Sequence, residues 1–279
     1  MAKECSNTSC SRSSCEGCPS AGKKQESMQL EQNAFSQVKH VIGIVSGKGG
    51  VGKSLVTAAL ANRLAGMGFN VGIMDADITG PSIPKMYGIK GPAEVVNENI
   101  LPILTENDIK VMSLNLLMPD PEKAVVWRGP IIAGVVRQFW TDVIWGELDY
   151  LLVDMPPGTG DVPLTVFQSL PVDGIMIVTS PQDLVRMIVS KACNMAELMN
   201  IPVLGLIENY SWLVCPDCGK KISVFGESHA EEAAKGMGIT VAGRIPIDPS
   251  FADAADKGAF AGVNIAELGE AAEICRKLG

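Results

Sequence analysis

Short apolar runs rich in β-branched residues recur along the chain: Val41–Val45, Val71–Met74, Val111–Leu114, Leu151–Val153, Gly174–Thr179, Val203–Ile207 and Val241–Ile245. They do not alternate strictly between apolar and polar, which marks strands covered on both faces. Stretches of helical character lie between several of them: Ser54–Met67, Ile131–Val143, Leu184–Met199 and Ala230–Gly236. This order predicts an α/β fold, a mostly parallel twisted sheet flanked by helices on both faces. Ligands of such sheets bind at the carboxyl ends of the strands. Residues 1–36 differ, being rich in Ser, Lys and Cys and poor in large apolar groups. The sequence therefore predicts a flexible Cys-rich extension over 1–36 and one domain over 37–279.

Hydrophobic residues make up 47% of the 279, enough for a sizeable core, so global disorder is excluded. The net charge of −8 argues against a nucleic-acid groove, which needs clustered Lys and Arg. No run approaches the ~18 apolar residues of a spanning helix. The first 32 residues have no apolar segment of the secretory-signal kind. The expectation is a cytoplasmic protein without membrane or nucleic-acid partners. In that compartment the eight cysteines would stay reduced, which leaves metal or cluster binding, or plain buried thiols.

The first apolar run leads directly into Gly47-Lys48-Gly49-Gly50-Val51-Gly52-Lys53-Ser54, followed by a helical stretch. This is the strand–loop–helix context of a phosphate-binding P-loop. Its glycines let backbone N–H groups face a phosphate, and the helix N-terminus adds a positive end. Lys53 is placed to reach the β- and γ-phosphates, and Ser54 to bind Mg²⁺. The expected ligand is a nucleoside triphosphate, ATP, with Mg²⁺. The early lysine, Lys48, resembles that of the deviant Walker A loops of the MinD/ParA/nitrogenase-reductase class. The resemblance implies a homodimer in which Lys48 reaches the partner's nucleotide.

Two further strands end in acids. Val71–Met74 runs into Asp75-Ala76-Asp77, whose carboxylates point the same way if the chain stays extended. One of them can orient the attacking water and touch the Mg²⁺ shell, and the class resemblance assigns that role to Asp77. Leu151–Val153 ends in Asp154, the Walker B pattern, which supports Mg²⁺. The following loop, Met155 to Asp161, carries Gly158 and Gly160 and suits a γ-phosphate sensor. Asn209, after the sixth run, has an amide that both donates and accepts, which suits an adenine edge.

Cys215-Pro216-Asp217-Cys218-Gly219 is a tight Cys-x-x-Cys turn that can bring two thiolates onto one metal centre. Zn²⁺ or a [4Fe–4S] cluster wants four ligands, and a twofold dimer supplies the missing two. A thioredoxin-type redox pair is the alternative, although the motif does not open a helix after a first strand. Cys5, Cys10, Cys15 and Cys18 form a second set of four, matching one cluster or one Zn²⁺. Cys193 and Cys275 fall on helical stretches and read as core thiols.

Together these pieces resemble the Mrp/ApbC/Nbp-type iron–sulfur cluster carrier ATPases. The matching segments are Gly47–Ser54, Asp75–Ser82, Asp154–Asp161, Thr179–Gln182, Glu208–Ser211 and Cys215–Cys218, the last followed by Val224-Phe225-Gly226. The resemblance implies a homodimer that holds a labile [4Fe–4S] cluster between subunits through Cys215 and Cys218. It also implies slow ATP hydrolysis coupled to loading or transfer, with apo iron–sulfur proteins as clients. The N-terminal cysteines resemble the longer, Nbp-like branch and its stable cluster. Their spacing, Cys-x4-Cys-x4-Cys-x2-Cys, departs from that branch, which sets its first cysteine farther from a Cys-x2-Cys pair. A spatial organiser of the MinD/ParA kind is a second reading, and a reductase of the nitrogenase-reductase group, which uses separated single cysteines, is a third. The organiser calls for a basic or amphipathic anchor, which the acidic C-terminus, with Glu267, Glu270 and Glu273, does not supply.

Overall fold

A computed structural model describes residues 29–77, 82–118, 129–158, 160–181 and 185–279. In chain order its strands and helices are β1 (Gln37–Ser46), α1 (Lys53–Gly66), β2 (Val71–Asp75), α2 (Ile83–Met86), β3 (Val95–Val96), β4 (Asn99–Ile100), β5 (Ile103–Leu104), β6 (Lys110–Ser113), α3 (Gly129–Thr141) and β7 (Glu147–Asp154). They continue with α4 (Asp161–Ser169), β8 (Val172–Thr179), α5 (Val185–Leu198), β9 (Val203–Glu208), β10 (Leu213–Val214), β11 (Lys221–Ile222), α6 (Ala230–Met237), β12 (Val241–Arg244), α7 (Pro249–Asp256) and α8 (Gly269–Arg276).

The main sheet has the order β12-β9-β8-β1-β7-β2-β6-β5 and is parallel except for the short antiparallel edge strand β5. The seven parallel strands are the seven apolar runs of the sequence. β1 lies between β7 and β8; the chain after β1 runs to the β2 side, and after β7 it crosses β1 to β8 on the other side. Such a switch point opens a crevice at the carboxyl ends of the strands, and there the Gly47–Gly52 loop begins.

The core follows from strands buried on both faces. Ile42, Ile44, Ile73, Leu151, Leu152, Val153, Ile175 and Ile177 are all fully buried. Helix α1 packs into the same core with small residues, Ala58, Ala59 and Ala61, which let it approach the sheet closely. Trp140 of α3 and Trp145 just after it are both buried, and each indole N–H finds a carbonyl, Leu30 O and Phe139 O respectively.

The residues just ahead of β1 contact the rest of the chain. Leu30 N donates to Ser169 O, and the buried Asn33 bonds Asn99 Oδ1 and Thr141 O. Leu30 and Asn33 are thus tied to α3, α4 and β4 by polar contacts, which a reading of apolar pattern does not register. Cys5, Cys10, Cys15 and Cys18 lie outside the described residues. No helix among the described residues is long and apolar enough to cross a membrane.

Candidate functional site

The phosphate loop owes its shape to two close approaches. Gly52 is the N-cap of α1 with φ 77°, a left-handed conformation that costs a side-chain-bearing residue. A Cβ there would overlap Asn209 Nδ2. A Cβ on Gly47 would overlap Ile188 of α5. Because Gly52 has no side chain, it offers the first turn of α1 no capping acceptor. Those N–H groups are left for an anion at the positive end of the helix.

Asp154, fully buried at the end of β7, organises the floor of the site. Lys53 Nζ donates to its Oδ1 at 2.6 Å and Ser54 Oγ to its Oδ2 at 2.5 Å. Thr57 Oγ1 lies 2.9 Å from Oδ1 and 3.0 Å from Lys53 O, so its single hydrogen serves one of the two. A buried carboxylate is tolerable only with such partners. Thr57 was not singled out from the sequence. Its position, four residues after Lys53 on the same helix face, was the available signal.

Asp75 and Asp77 part company. β2 ends at Asp75, which pairs in register with Asp154 across the sheet. Asp75 is buried. Its Oδ1 accepts from Asp77 N at 3.1 Å, and Ser113 Oγ donates to its Oδ2 at 3.3 Å. Burial, and after it the Asp154 carboxylate, push the Asp75 carboxyl well above the usual range, against the pull of Lys53. Asp77 instead faces the cleft, with its Oδ2 4.0 Å from Lys53 Nζ. Alternation along an extended chain does not hold here, because the strand stops between them.

The cleft over the loop has a volume of about 360 Å³ and is walled by Asp77, Ser82, Lys85, Pro157 and Asp256. Lys85 and Asp256 form an exposed ion pair at 3.3 Å on its rim, joining α2 to α7. Gly158 N donates to Ser46 O at 2.8 Å, which lays the loop after Asp154 against the P-loop. Lys48 sits half-buried within that loop. Asn209 Nδ2 donates to Val51 O at 3.0 Å, and its Oδ1 accepts from Tyr210 N. In this structure Asn209 braces the phosphate loop, which leaves its second amide hydrogen and one lone pair of Oδ1 for a base.

Cys215 and Cys218 stand at the tip of the β10–β11 hairpin, away from the sheet. Gly219 N donates to Cys215 O, and Gly219 takes φ 71°, which turns the chain around the pair. Backbone N–H groups of Cys218 and Asp217 pull the Cys215 thiol below its usual range. Cys193 is half-buried in α5 and Cys275 buried in α8, where desolvation raises both thiols, the second to about 12. Among the described residues no group of three or more His, Cys, Asp or Glu is placed to hold a metal.

One family model, described as "ParA: NUBPL iron-transfer P-loop NTPase", matches residues 37–278. The chain belongs to that family. A Methanocaldococcus jannaschii protein named iron-sulfur cluster carrier protein is 48% identical over 254 residues, 88% of this chain and 87% of its own length. A protein of the same name from Clostridium perfringens is 47% identical over 232 residues, 80% of this chain and 81% of its own. Among solved structures, the nucleotide-binding protein of Archaeoglobus fulgidus in complex with ADP, in which cobalt was found, aligns with a TM-score of 0.72 and 45% identity. That alignment covers 81% of this chain and 88% of that one. The cell-division ATPase MinD of Pyrococcus furiosus aligns with a TM-score of 0.60 at 21% identity, a likeness of fold alone. This member of the NUBPL-type family therefore carries a P-loop NTPase site and a cysteine hairpin in one chain.

Proposed function

We propose that this chain is a nucleotide-dependent iron–sulfur cluster carrier that hydrolyses ATP and hands a [4Fe–4S] cluster to apo iron–sulfur proteins. The observation that carries the reading is a pair of free thiols, a half-buried Cys215 and an exposed Cys218, on a hairpin rooted next to the phosphate loop, in a chain whose close relatives bear the carrier name. Two thiolates per chain meet the four-ligand requirement when two copies face each other, so the working form is a homodimer. Free thiols at the hairpin suit the reducing cytoplasm.

At the nucleotide site, Lys53 and the loop N–H groups hold the phosphates. The oxygens of Ser54 and Asp154 meet at 2.5 Å, and hard oxygen donors of this kind suit Mg²⁺. Ser54 and Asp154, with Asp77 on the cleft side, would hold Mg²⁺, which would supply charge neutralisation for the β- and γ-phosphates. Asp77 orients the attacking water from the cleft wall. Asp154 keeps the Lys53 ammonium and the Ser54 hydroxyl aimed, and Asp75 holds the backbone of Asp77. Lys48 reaches the nucleotide of the partner subunit, and Asn209 meets the adenine with its remaining amide hydrogen. The N-terminal set Cys5, Cys10, Cys15 and Cys18 binds a second metal centre.

Anaerobic reconstitution with iron and sulfide tests the cargo site. The wild type should gain about two iron and two sulfide per chain from a shared [4Fe–4S] cluster, over any bound by the N-terminal cysteines. The Cys215→Ala/Cys218→Ala variant should lose that increment, and retention of full iron and sulfide in it would refute the assignment.

A further inference from the structure

Between Glu208 and Ser228 the chain leaves the sheet, carries the cysteine hairpin and returns. One buried carboxylate holds both ends of this excursion. Glu208, at the end of β9, accepts from Ser211 Oγ on the outgoing limb at 2.6 Å and from Ser228 Oγ on the returning limb at 2.7 Å. Arg244 Nε of β12 donates to it as well, at 3.2 Å. The Arg244 guanidinium also lies 5.7 Å from the centroid of the Trp212 ring, and Lys221 of β11 lies 4.1 Å from it. Backbone bonds sew the outgoing limb to the chain after β12, from Ser211 N to Ile245 O and from Ile247 N to Trp212 O.

The two residues between Glu208 and Ser211 are the ones that touch the phosphate loop. Asn209 bonds Val51 O, and the Tyr210 hydroxyl fills the space beside Gly52, 3.0 Å from where a Cβ would stand. Tyr210 has φ 61°, a left-handed conformation uncommon for a bulky aromatic residue and kept only where surroundings enforce it. Its ring lies 6.5 Å from that of Phe225, on the returning limb. One short turn thus contacts the phosphate loop on one side and both limbs of the cysteine excursion on the other.

We infer that Tyr210 is a positioning residue through which occupancy of the phosphate loop sets the affinity of the Cys215–Cys218 pair for metal. The inference rests on the reading of that pair as the cargo site. A phosphate draws the loop N–H groups inward and moves Val51 and Gly52. Asn209 follows through its hydrogen bond, and Tyr210 follows because the space at Gly52 is already filled. Phe225 and the Glu208 clamp then carry the displacement to the hairpin. Coupling of this kind is reciprocal, so metal at the cysteines changes nucleotide affinity by the same factor.

Cobalt(II) titration of the full chain tests this, read from the thiolate-to-cobalt charge-transfer band, with and without ADP in excess Mg²⁺. The signal assigned to the hairpin is the part that Cys215→Ser/Cys218→Ser lacks. In the wild type ADP should change the Co²⁺ dissociation constant by about fivefold or more, and Co²⁺ should change the ADP constant equally. Tyr210→Gly, which suits the left-handed backbone, should bring this factor close to one while each separate affinity stays within about threefold. Should that variant not fold, Tyr210→Phe keeps the ring and backbone, removes only the hydroxyl, and must still lower the factor. A wild-type factor of one, or an unchanged factor in the Tyr210 variants, overturns the inference. If the double Ser variant keeps the whole band, the cargo-site reading fails instead, and the two failures are distinct.

Discussion

Gly52 shows how much a single position constrains the site. It is left-handed, it caps α1, and Asn209 and Tyr210 press against it. Gly52→Ala adds about 1–2 kcal/mol of backbone strain before any overlap is counted. The variant should therefore lose nucleotide binding by about five- to thirtyfold, by the scale of about 1.4 kcal/mol per decade. Isothermal titration with ADP checks this, and unchanged affinity would count against the loop geometry. Much of this was legible in the sequence, because the P-loop pattern fixes the glycines, Lys53 and Ser54 by chemistry. The position of Asp154 was legible too, since an apolar strand ending in an acid beside a P-loop has few other uses. The brace made by Asn209 was not, because its partner is a backbone carbonyl 158 residues away.

Among the elements, α1 does more than present the loop. Its buried Asn62 donates to Phe260 O at 2.7 Å and Val263 O at 2.9 Å, and accepts from Tyr87 Oη at 2.8 Å and Asn107 Nδ2 at 3.0 Å. This fixes α1 against the turn after α2 and the chain after α7. Asn62→Leu keeps the volume but strands two carbonyls and removes an acceptor. It should lower unfolding free energy by about 2–4 kcal/mol, seen as a lower urea midpoint with an unchanged slope. An unmoved midpoint would show that the network carries no stability. The helix α4 escaped the sequence reading because Pro163 looks like a break, yet proline is tolerated in a first helical turn. β1 starts four residues earlier than its apolar run, since Gln37 and Lys39 alternate with Val38 and His40 and only one side of that stretch is covered. α7 was not predicted either, although its start bears a recognisable cap: Asp248 accepts from Ser250 N, and Pro249 opens the helix.

For the whole molecule, the sheet order explains why the nucleotide site and the cysteine hairpin are neighbours. The loop after β1 and the turn after β9 emerge from the same end of a parallel sheet, with β8 alone between them. The apolar runs predict the parallel strands but not their order, so this adjacency had no signature in the sequence. The family resemblance points to both sites as proposed above, and the match over residues 37–278 places the chain in the family directly. The central claim, that this chain carries a cluster and gives it up, is tested most directly by transfer. Anaerobically loaded protein is mixed with an apo [4Fe–4S] enzyme and a chelator that captures released iron, and recovery of the enzyme's activity is followed. Wild-type protein should restore that activity, and the Cys215→Ser/Cys218→Ser variant should not. Loaded wild type that leaves the acceptor inactive, or an equally effective double variant, would contradict the account.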